Sequence, residues 1–372
     1  MYSKMLIPYF PNPFSLNDYY SIMSDKNDDL NITELGFSSK YQFVNNASQG
    51  IYLLLKSLNL KTESKVGLSP LLCNSVTSAI LKAGLSPYYF DITKDYILDY
   101  DEKSFNKSGI SALILPQLYG ALHPDTEKIV NWCKNNKIFL LSDTAQSFGL
   151  NFNDKPAIEL GDGGVYSLGF GKASSCAGGA LVYNLNSSID YKNNPFINSI
   201  NNTISKSKLA NRIFGLDIYK KTNLLSLFRN YLSQFASGYN LGITRIQFNS
   251  LKKYLQNRDE IQTKRTNNFS ILKNNLNPHY FIIPESFITS LKFKYIFSLN
   301  LEEDKIADFT SAMIKNGIEI HPCSRTDSVH TQDKVLPNFH KIKNRLLELS
   351  TEASIPEDNF YKASDIMNNY FK

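Results

Sequence analysis

Apolar residues come in short blocks along this chain, and two periods alternate between residues 40 and 184. The runs SALIL (111–115) and KIFLLS (137–142) are nearly continuous, the pattern of strands buried on both faces. Strand-like runs also lie at 65–69 (KVGLS, closed by Pro70), 87–92 (PYYFDI), 164–168 (GVYSL) and 179–183 (GALVY). Between them, 49–58, 75–83 and about 125–136 carry helical spacing. Gly84 stops the second of these helices, and Asp125 or Thr126 is the expected N-cap of the third. Strands alternating with helices imply βαβ units and a mainly parallel sheet. Ligands of such sheets sit beyond the carboxyl ends of the strands, so chemistry is sought just after each strand.

Outside this block the pattern changes. The first 40 residues are polar, aromatic and irregular, broken by Pro8, Pro11 and Pro13. Residues 185–240 are rich in Asn, Ser and Lys and show no clear period. Residues 247–275 predict one long amphipathic helix, with Leu251, Leu255, Ile261 and Phe269 roughly in phase. A strand at 292–299, a helix at 304–315 ended by Gly317 and a strand at 318–321 predict a second, smaller α/β unit. The expected division is a large domain over 1–245, which includes the irregular segment 1–40, and a smaller one over 246–372.

Composition narrows the function classes. A chain of 372 residues with 42% hydrophobic positions buries an ample core and is not disordered. No apolar run approaches the ~18–20 residues needed to span a bilayer, and the N-terminus lacks a signal-peptide core, so no membrane partner is expected. Cys73, Cys133, Cys176 and Cys323 are far apart and form no CxxC, which argues against disulfides or zinc and for a cytoplasmic location. The five histidines show no metal-ligand spacing, and no metal is expected. The net charge of +6 suits an anionic small molecule, while no Lys/Arg block marks a nucleic-acid surface.

Four features stand where chemistry is expected. Asp143 directly follows a buried strand, where a carboxylate needs a cation or a donor; taken alone it reads as a helix N-cap or turn residue. Lys172 lies in a Gly- and Ser-rich loop, where an amine can have a lowered pKa and act as a nucleophile that forms a Schiff base; by itself it reads equally as an ordinary surface-loop lysine. Asn46-Ala47-Ser48 ends a strand and opens a helix, whose first N–H groups bind phosphate. Ser167 adds a hydroxyl shortly before the lysine. A dinucleotide fold would need G-x-G-x-x-G after the first strand, and residues 44–52 do not supply it. His123 and His321 read as loop or strand-end residues satisfied by backbone, Trp132 and Cys133 as packing residues, and Cys176 as a small residue filling a tight loop.

In that order, the set resembles the DegT/DnrJ/EryC1/StrS family of sugar aminotransferases. The matching motifs are Ala47-Ser48 at the first helix, AGLSPYYFDI at 83–92, Leu118-Tyr119-Gly120 and Asp143-Thr144-Ala145-Gln146. Gly161-Asp162, Ser167 with Lys172, Gly178-Gly179 and Gly238-Tyr239-Asn240 complete it. The resemblance implies an α/β, aspartate aminotransferase-like fold (fold type I). It has a large domain with a mainly parallel mixed sheet between helices, plus a smaller C-terminal α/β domain. It implies pyridoxal 5'-phosphate (PLP) as cofactor. Lys172 would be the catalytic residue, holding the cofactor by its amine and moving the substrate proton. Asp143 would pair with the pyridine nitrogen, and Gln146 would bond near the ring hydroxyl. Ala47, Ser48 and Ser167 would bind the phosphate, with Asn240 reaching it from the second subunit of a homodimer with shared sites.

The implied reaction is amino transfer, with glutamate as donor, to a keto-sugar nucleotide in surface polysaccharide or amino-sugar biosynthesis. The family's dehydratases replace the lysine by histidine, and Lys172 argues against that route. The chain departs from the family at Leu72-Cys73-Asn74, Gln117, Ser174–Ala177 and His321-Pro322-Cys323, more toward the substrate than toward the cofactor. Two alternatives therefore stay open: PLP chemistry on a non-nucleotide carbonyl compound, and a non-catalytic member of the family.

Overall fold

The structure, a computed structural model, describes residues 5–9, 11, 13–25, 30–185, 243–323 and 336–372. Its centre is a seven-stranded sheet built from β1 (Tyr41–Val44), β2 (Lys65–Leu68), β3 (Ser86–Tyr89), β4 (Ile110–Pro116), β5 (Phe139–Asp143), β6 (Gly163–Ser167) and β7 (Ala180–Asn184). The spatial order is β1-β7-β6-β5-β4-β2-β3. Only β7 runs against the others in this sheet, pairing antiparallel with both β1 and β6. The mainly parallel sheet expected from the alternation is therefore present. Helices α1 (Leu16–Ser24), α2 (Ala47–Ser57), α3 (Asn74–Lys82), α4 (Glu102–Ser108) and α5 (Thr126–Asn135) belong to this half of the chain. Trp132 and Cys133 on α5 are buried against β4 and β5 neighbours such as Leu113 and Leu140, as packing residues.

The long helix expected over 247–275 is two helices, α6 (Arg245–Gln256) and α7 (Arg258–Asn275), separated at Asn257. Phe248, Leu251 and Tyr254 pack into the core of the large sheet. Ile261, in the first turn of α7, still packs on that core, and the rest of α7 turns to a second core. Phe269, Ile271 and Leu272 pack into a separate core. That second core covers a four-stranded antiparallel sheet of β8 (Phe281–Ile282), β9 (Lys294–Leu299), β10 (His321–Pro322) and β11 (Leu346–Ser350), in the order β8-β9-β11-β10. Helices α8 (Glu303–Lys315) and α9 (Glu357–Asn369) pack on it through Phe309, Met313, Phe360 and Met367. Among the described residues, no helix is long and apolar enough to cross a membrane.

The described parts of the N-terminal stretch are tied to both halves of the molecule. Ser15 and Asp18 form a reciprocal capping box that starts α1, and Ile22 packs with Ile246 of α6. Upstream, Ile7 forms a bridge with Ile318, so this segment lies along the second sheet's half of the molecule.

The α5 cap resolves between the two candidates. Asp125 occupies the cap position, but its carboxylate takes Lys128 Nζ at 2.7 Å instead of a helix N–H. His123 is buried and satisfied by backbone: Nδ1 accepts from Asp125 N at 3.1 Å, so Nε2 carries the proton and donates to Leu98 O at 2.7 Å.

Candidate active site

The carboxyl ends of β1, β4, β5 and β6 bring the sequence candidates to one edge of the sheet. After β1 the chain turns at Asn46, whose side chain caps α2 by accepting from Gln49 N at 2.9 Å. The N-cap is thus Asn46, and Ser48 is the second residue of the helix. The first ladder bond is Gly50 N to Asn46 O, which leaves the N–H groups of Ala47 and Ser48 at the open end of the helix. Gly50 sets how close that end sits. A Cβ there would lie 2.6 Å from Val182 Cγ2 and 3.1 Å from Val165 Cγ1, so only glycine lets α2 rest this tightly on β7 and β6.

Asp143 is the last residue of β5 and is 5% exposed. Its Oδ1 accepts from Ala145 N at 3.0 Å, and its carbonyl accepts from Gln117 N at 2.9 Å. Among the described residues no cation forms an ion pair with it. Burial pushes its pKa up, outweighing the Ala145 N–H and the charge of Lys172, which both act the other way. A buried carboxylate at a strand end, within the field of a lysine, is suited to a protonated ring nitrogen.

Lys172 sits in the loop between β6 and β7. The loop is drawn shut at its base by Leu168 N to Gly179 O (2.9 Å) and Gly178 N to Leu168 O (3.1 Å). Gly178 and Gly179 take φ of +112° and +91°, which side chains rarely adopt, so the double glycine is required there. Ser167 Oγ and the Lys172 side chain flank the same face of Gly169. Cys176 is fully buried in this loop, and burial pushes its thiol up to about 12, so it fills space and is not a nucleophile at neutral pH. The Gln146 carbonyl oxygen accepts from Tyr119 N at 3.1 Å. Tyr119 has φ of +52°, a strained value for a bulky residue, and the Gln146 bond helps to hold it. Asn240 lies outside the described residues.

Of the other wall of the site, Tyr119, His321 and Cys323 stand out in the sequence, whereas Tyr9, Lys294 and Glu348 do not. These last three come from the N-terminal segment and the second sheet. The Tyr9 hydroxyl donates to the Glu348 carboxylate on β11. Lys294 on β9 is 3% exposed, with Nζ 4.2 Å from the Tyr9 ring centre and 3.3 Å from Tyr9 O. Burial lowers its pKa against the pull of Glu348, and Lys172 is among the charges it feels. The Tyr119 hydroxyl, pushed up by burial, lies beside Cys323 and Glu348. The His321 ring packs on Tyr9 at 4.1 Å. Tyr9 carried no readable signal, because it stands among breaker prolines and its partners are more than 280 positions away. A second cluster, Arg265 with Glu352, binds the lysine loop itself.

A family model described as the DegT/DnrJ/EryC1/StrS aminotransferase family matches residues 40–360. The GDP-perosamine synthase of Escherichia coli O157:H7 is 27% identical over 144 residues. That stretch is 37% of this chain and spans only 38% of the relative. Among solved structures, DesI in the presence of its TDP-sugar product is similar with a TM-score of 0.73 at 16% identity, covering 98% of this chain and 93% of that one. Helicobacter pylori PseC, an aminotransferase involved in the biosynthesis of pseudoaminic acid, is similar with a TM-score of 0.75 at 14% identity, covering 98% and 99%. These likenesses establish the fold, the aspartate aminotransferase-like fold type I that the motifs implied.

Proposed function

The chain belongs to the DegT/DnrJ/EryC1/StrS aminotransferase family, whose members use PLP, and on that premise we propose that it transfers an amino group from glutamate to a keto-sugar nucleotide. The observation that carries this reading is Asp143: a buried carboxylate without an ion-pair partner among the described residues, on the same sheet edge as Lys172 and the open end of α2. When bound, PLP supplies a carbon that exchanges amino groups and a ring that withdraws electrons from it.

The chain's own residues then divide the work. Lys172 holds the cofactor through its amine and afterwards carries the proton at the substrate carbon. Asp143 keeps the proton on the ring nitrogen. The N–H groups of Ala47 and Ser48, with the Ser48 and Ser167 hydroxyls, bind the phosphate. Gln146, whose carbonyl is taken by Tyr119, offers its amide NH2 toward the ring hydroxyl. The resemblance assigns Asn240 to the phosphate of a second copy's site, in a homodimer. The sugar-nucleotide substrate is supported by the names of the relatives, GDP-perosamine synthase and DesI with its TDP-sugar product. A place in surface polysaccharide or amino-sugar synthesis, in the cytoplasm, accords with that substrate.

The test is an absorption spectrum of the purified protein after adding PLP. The parental protein is expected to gain a visible band that glutamate bleaches, and Lys172→Ala to gain none. No band in the parental protein would overturn the reading in favour of a non-catalytic member. Bleaching by glutamate with no amino product from a panel of keto-sugar nucleotides would move the substrate to another carbonyl compound.

Ser167→Ala addresses the phosphate site. A hydrogen bond to a charged group is worth about 1.5–3 kcal/mol, so PLP binding is expected to weaken about tenfold or more. Titration of the apo protein with PLP measures it, and an unchanged affinity would remove Ser167 from the site.

A further inference from the structure

Arg265 and Glu352 form a fully buried ion pair in a part of the molecule that none of the family motifs covers. Arg265 projects from α7, and Glu352 lies two residues beyond β11. The pair is bidentate: Nε to Oε1 at 3.1 Å and Nη2 to Oε2 at 2.7 Å. Their side chains are 0% and 7% exposed. Burial alone would raise the Glu352 pKa, but Arg265 and the Ser175 hydroxyl outweigh it and hold it below the usual range. The pair is therefore ionised at neutral pH.

What distinguishes it from a structural clamp is where its remaining bonds go. Arg265 Nη1 donates to Ala173 O at 2.6 Å, and Nη2 donates to Ser175 Oγ at 3.3 Å. Ser175 Oγ lies 2.8 Å from both Lys172 O and Glu352 Oε2. Two of the three residues that follow Lys172 are thus tied to one guanidinium–carboxylate pair. Ser175 itself has φ of +45°, a left-handed conformation that the loop must be made to keep. One helical turn from Arg265, Asn268 Nδ2 donates to the carbonyls of Thr351 and Glu352, both at 3.2 Å, and fixes the Glu352 backbone. The contact runs from the second sheet, through α7, into the loop that projects from the first.

Residue choice supports a geometric role. The chain has seven arginines among its 40 basic residues, yet keeps one here. A guanidinium presents five donors in a fixed fork, which reaches a carboxylate, a carbonyl and a hydroxyl at once; an ammonium does not.

We infer that Arg265 and Glu352 are positioning residues for Lys172, setting the conformation of residues 173–175 and through it the placement of the lysine amine. This rests on the reading of Lys172 as the cofactor-binding amine. The pair touches backbone and Ser175, not the cofactor site.

The test uses the full-length apo protein and the double variant Arg265→Met/Glu352→Leu, which leaves no lone buried charge and is expected to fold. Two readouts are compared with the parental protein: the rate at which Lys172 is acylated by N-hydroxysuccinimidyl acetate, followed by peptide mass spectrometry with Lys264 as internal reference, and the affinity for added PLP. The expected result is Lys172 acylation changed at least fivefold relative to Lys264, and PLP affinity at least tenfold lower. A clamp that only stabilises the fold moves the melting temperature and leaves both readouts alone; a folded double variant with the parental acylation ratio would overturn the inference. If the double variant does not fold, Ser175→Ala, which removes only the hydroxyl link, must change the acylation ratio, and a parental ratio overturns it equally. Acylation needs no cofactor, so a parental protein that binds no PLP defeats the functional reading without deciding this one.

Discussion

Lys172→Ala is expected to leave transamination at no more than about one ten-thousandth of the parental rate, since positioned proton transfer alone contributes ~10²–10⁴-fold and covalent attachment adds to it. The protein should still fold, because Lys172 is only half-buried and its loop is held by backbone bonds at Gly178 and Gly179 and by the Arg265–Glu352 pair. The informative partner is Lys172→Arg. A guanidinium keeps the positive charge in the field of Asp143 but does not give up its proton in proteins. If Lys172 acted only as a charge, the arginine variant would keep much of the activity. If it carries the proton, both variants fail alike. Steady-state assay of glutamate consumption against a keto-sugar acceptor separates these cases, and an arginine variant within tenfold of the parental rate would remove Lys172 from the proton-carrying role.

That Asp143, Lys172 and Ala47-Ser48 meet at one edge of the sheet was legible because their placement is local. Asp143 follows KIFLLS, Lys172 lies between two strands, and Ala47-Ser48 opens a helix; each is fixed within a few residues of a strand end, where a parallel sheet gathers its chemistry. Tyr9, Lys294 and Glu348 of the opposite wall were not legible because their contacts are long-range. Tyr9 meets Glu348 across 339 positions, and Arg265 meets Glu352 across 87. Arg265 did leave a trace. It falls four residues after Ile261 and four before Phe269, in phase with the buried stripe of α7. A charged residue in that phase reads as a solvated edge unless a buried partner is known, and Glu352, just beyond β11, is 87 positions away. The same logic explains the break at Asn257. Periodicity continues across it, so one helix is expected, but most of α7 turns to the second core and no period encodes that turn.

Asp143→Asn is expected to cut turnover by on the order of 10²–10³-fold while stabilising the apo protein, and the two effects share one cause. The asparagine keeps an oxygen to accept from Ala145 N, so the local turn survives. What it loses is the charge that holds the ring nitrogen protonated, an electrostatic contribution of the size seen when one preorganised partner is removed. In the apo protein that same charge is a burden, because burial raises the folded pKa of Asp143 above the unfolded value of about 3.9. Below the unfolded pKa the carboxyl is protonated in both states and costs nothing. As pH rises toward the folded pKa, the unfolded chain loses its proton first, and stability falls until the folded carboxyl has also ionised. Above that point the penalty is constant. The asparagine variant has no such loss. Melting temperatures of the apo proteins should therefore differ most at neutral to alkaline pH, with the variant higher, and converge as pH falls toward 4. Adding PLP should reverse the order, since only the parental protein then pairs its buried charge. An apo variant less stable than the parental protein at pH 8 would mean that Asp143 is already compensated without the cofactor, and turnover within tenfold would place the ring nitrogen's partner elsewhere.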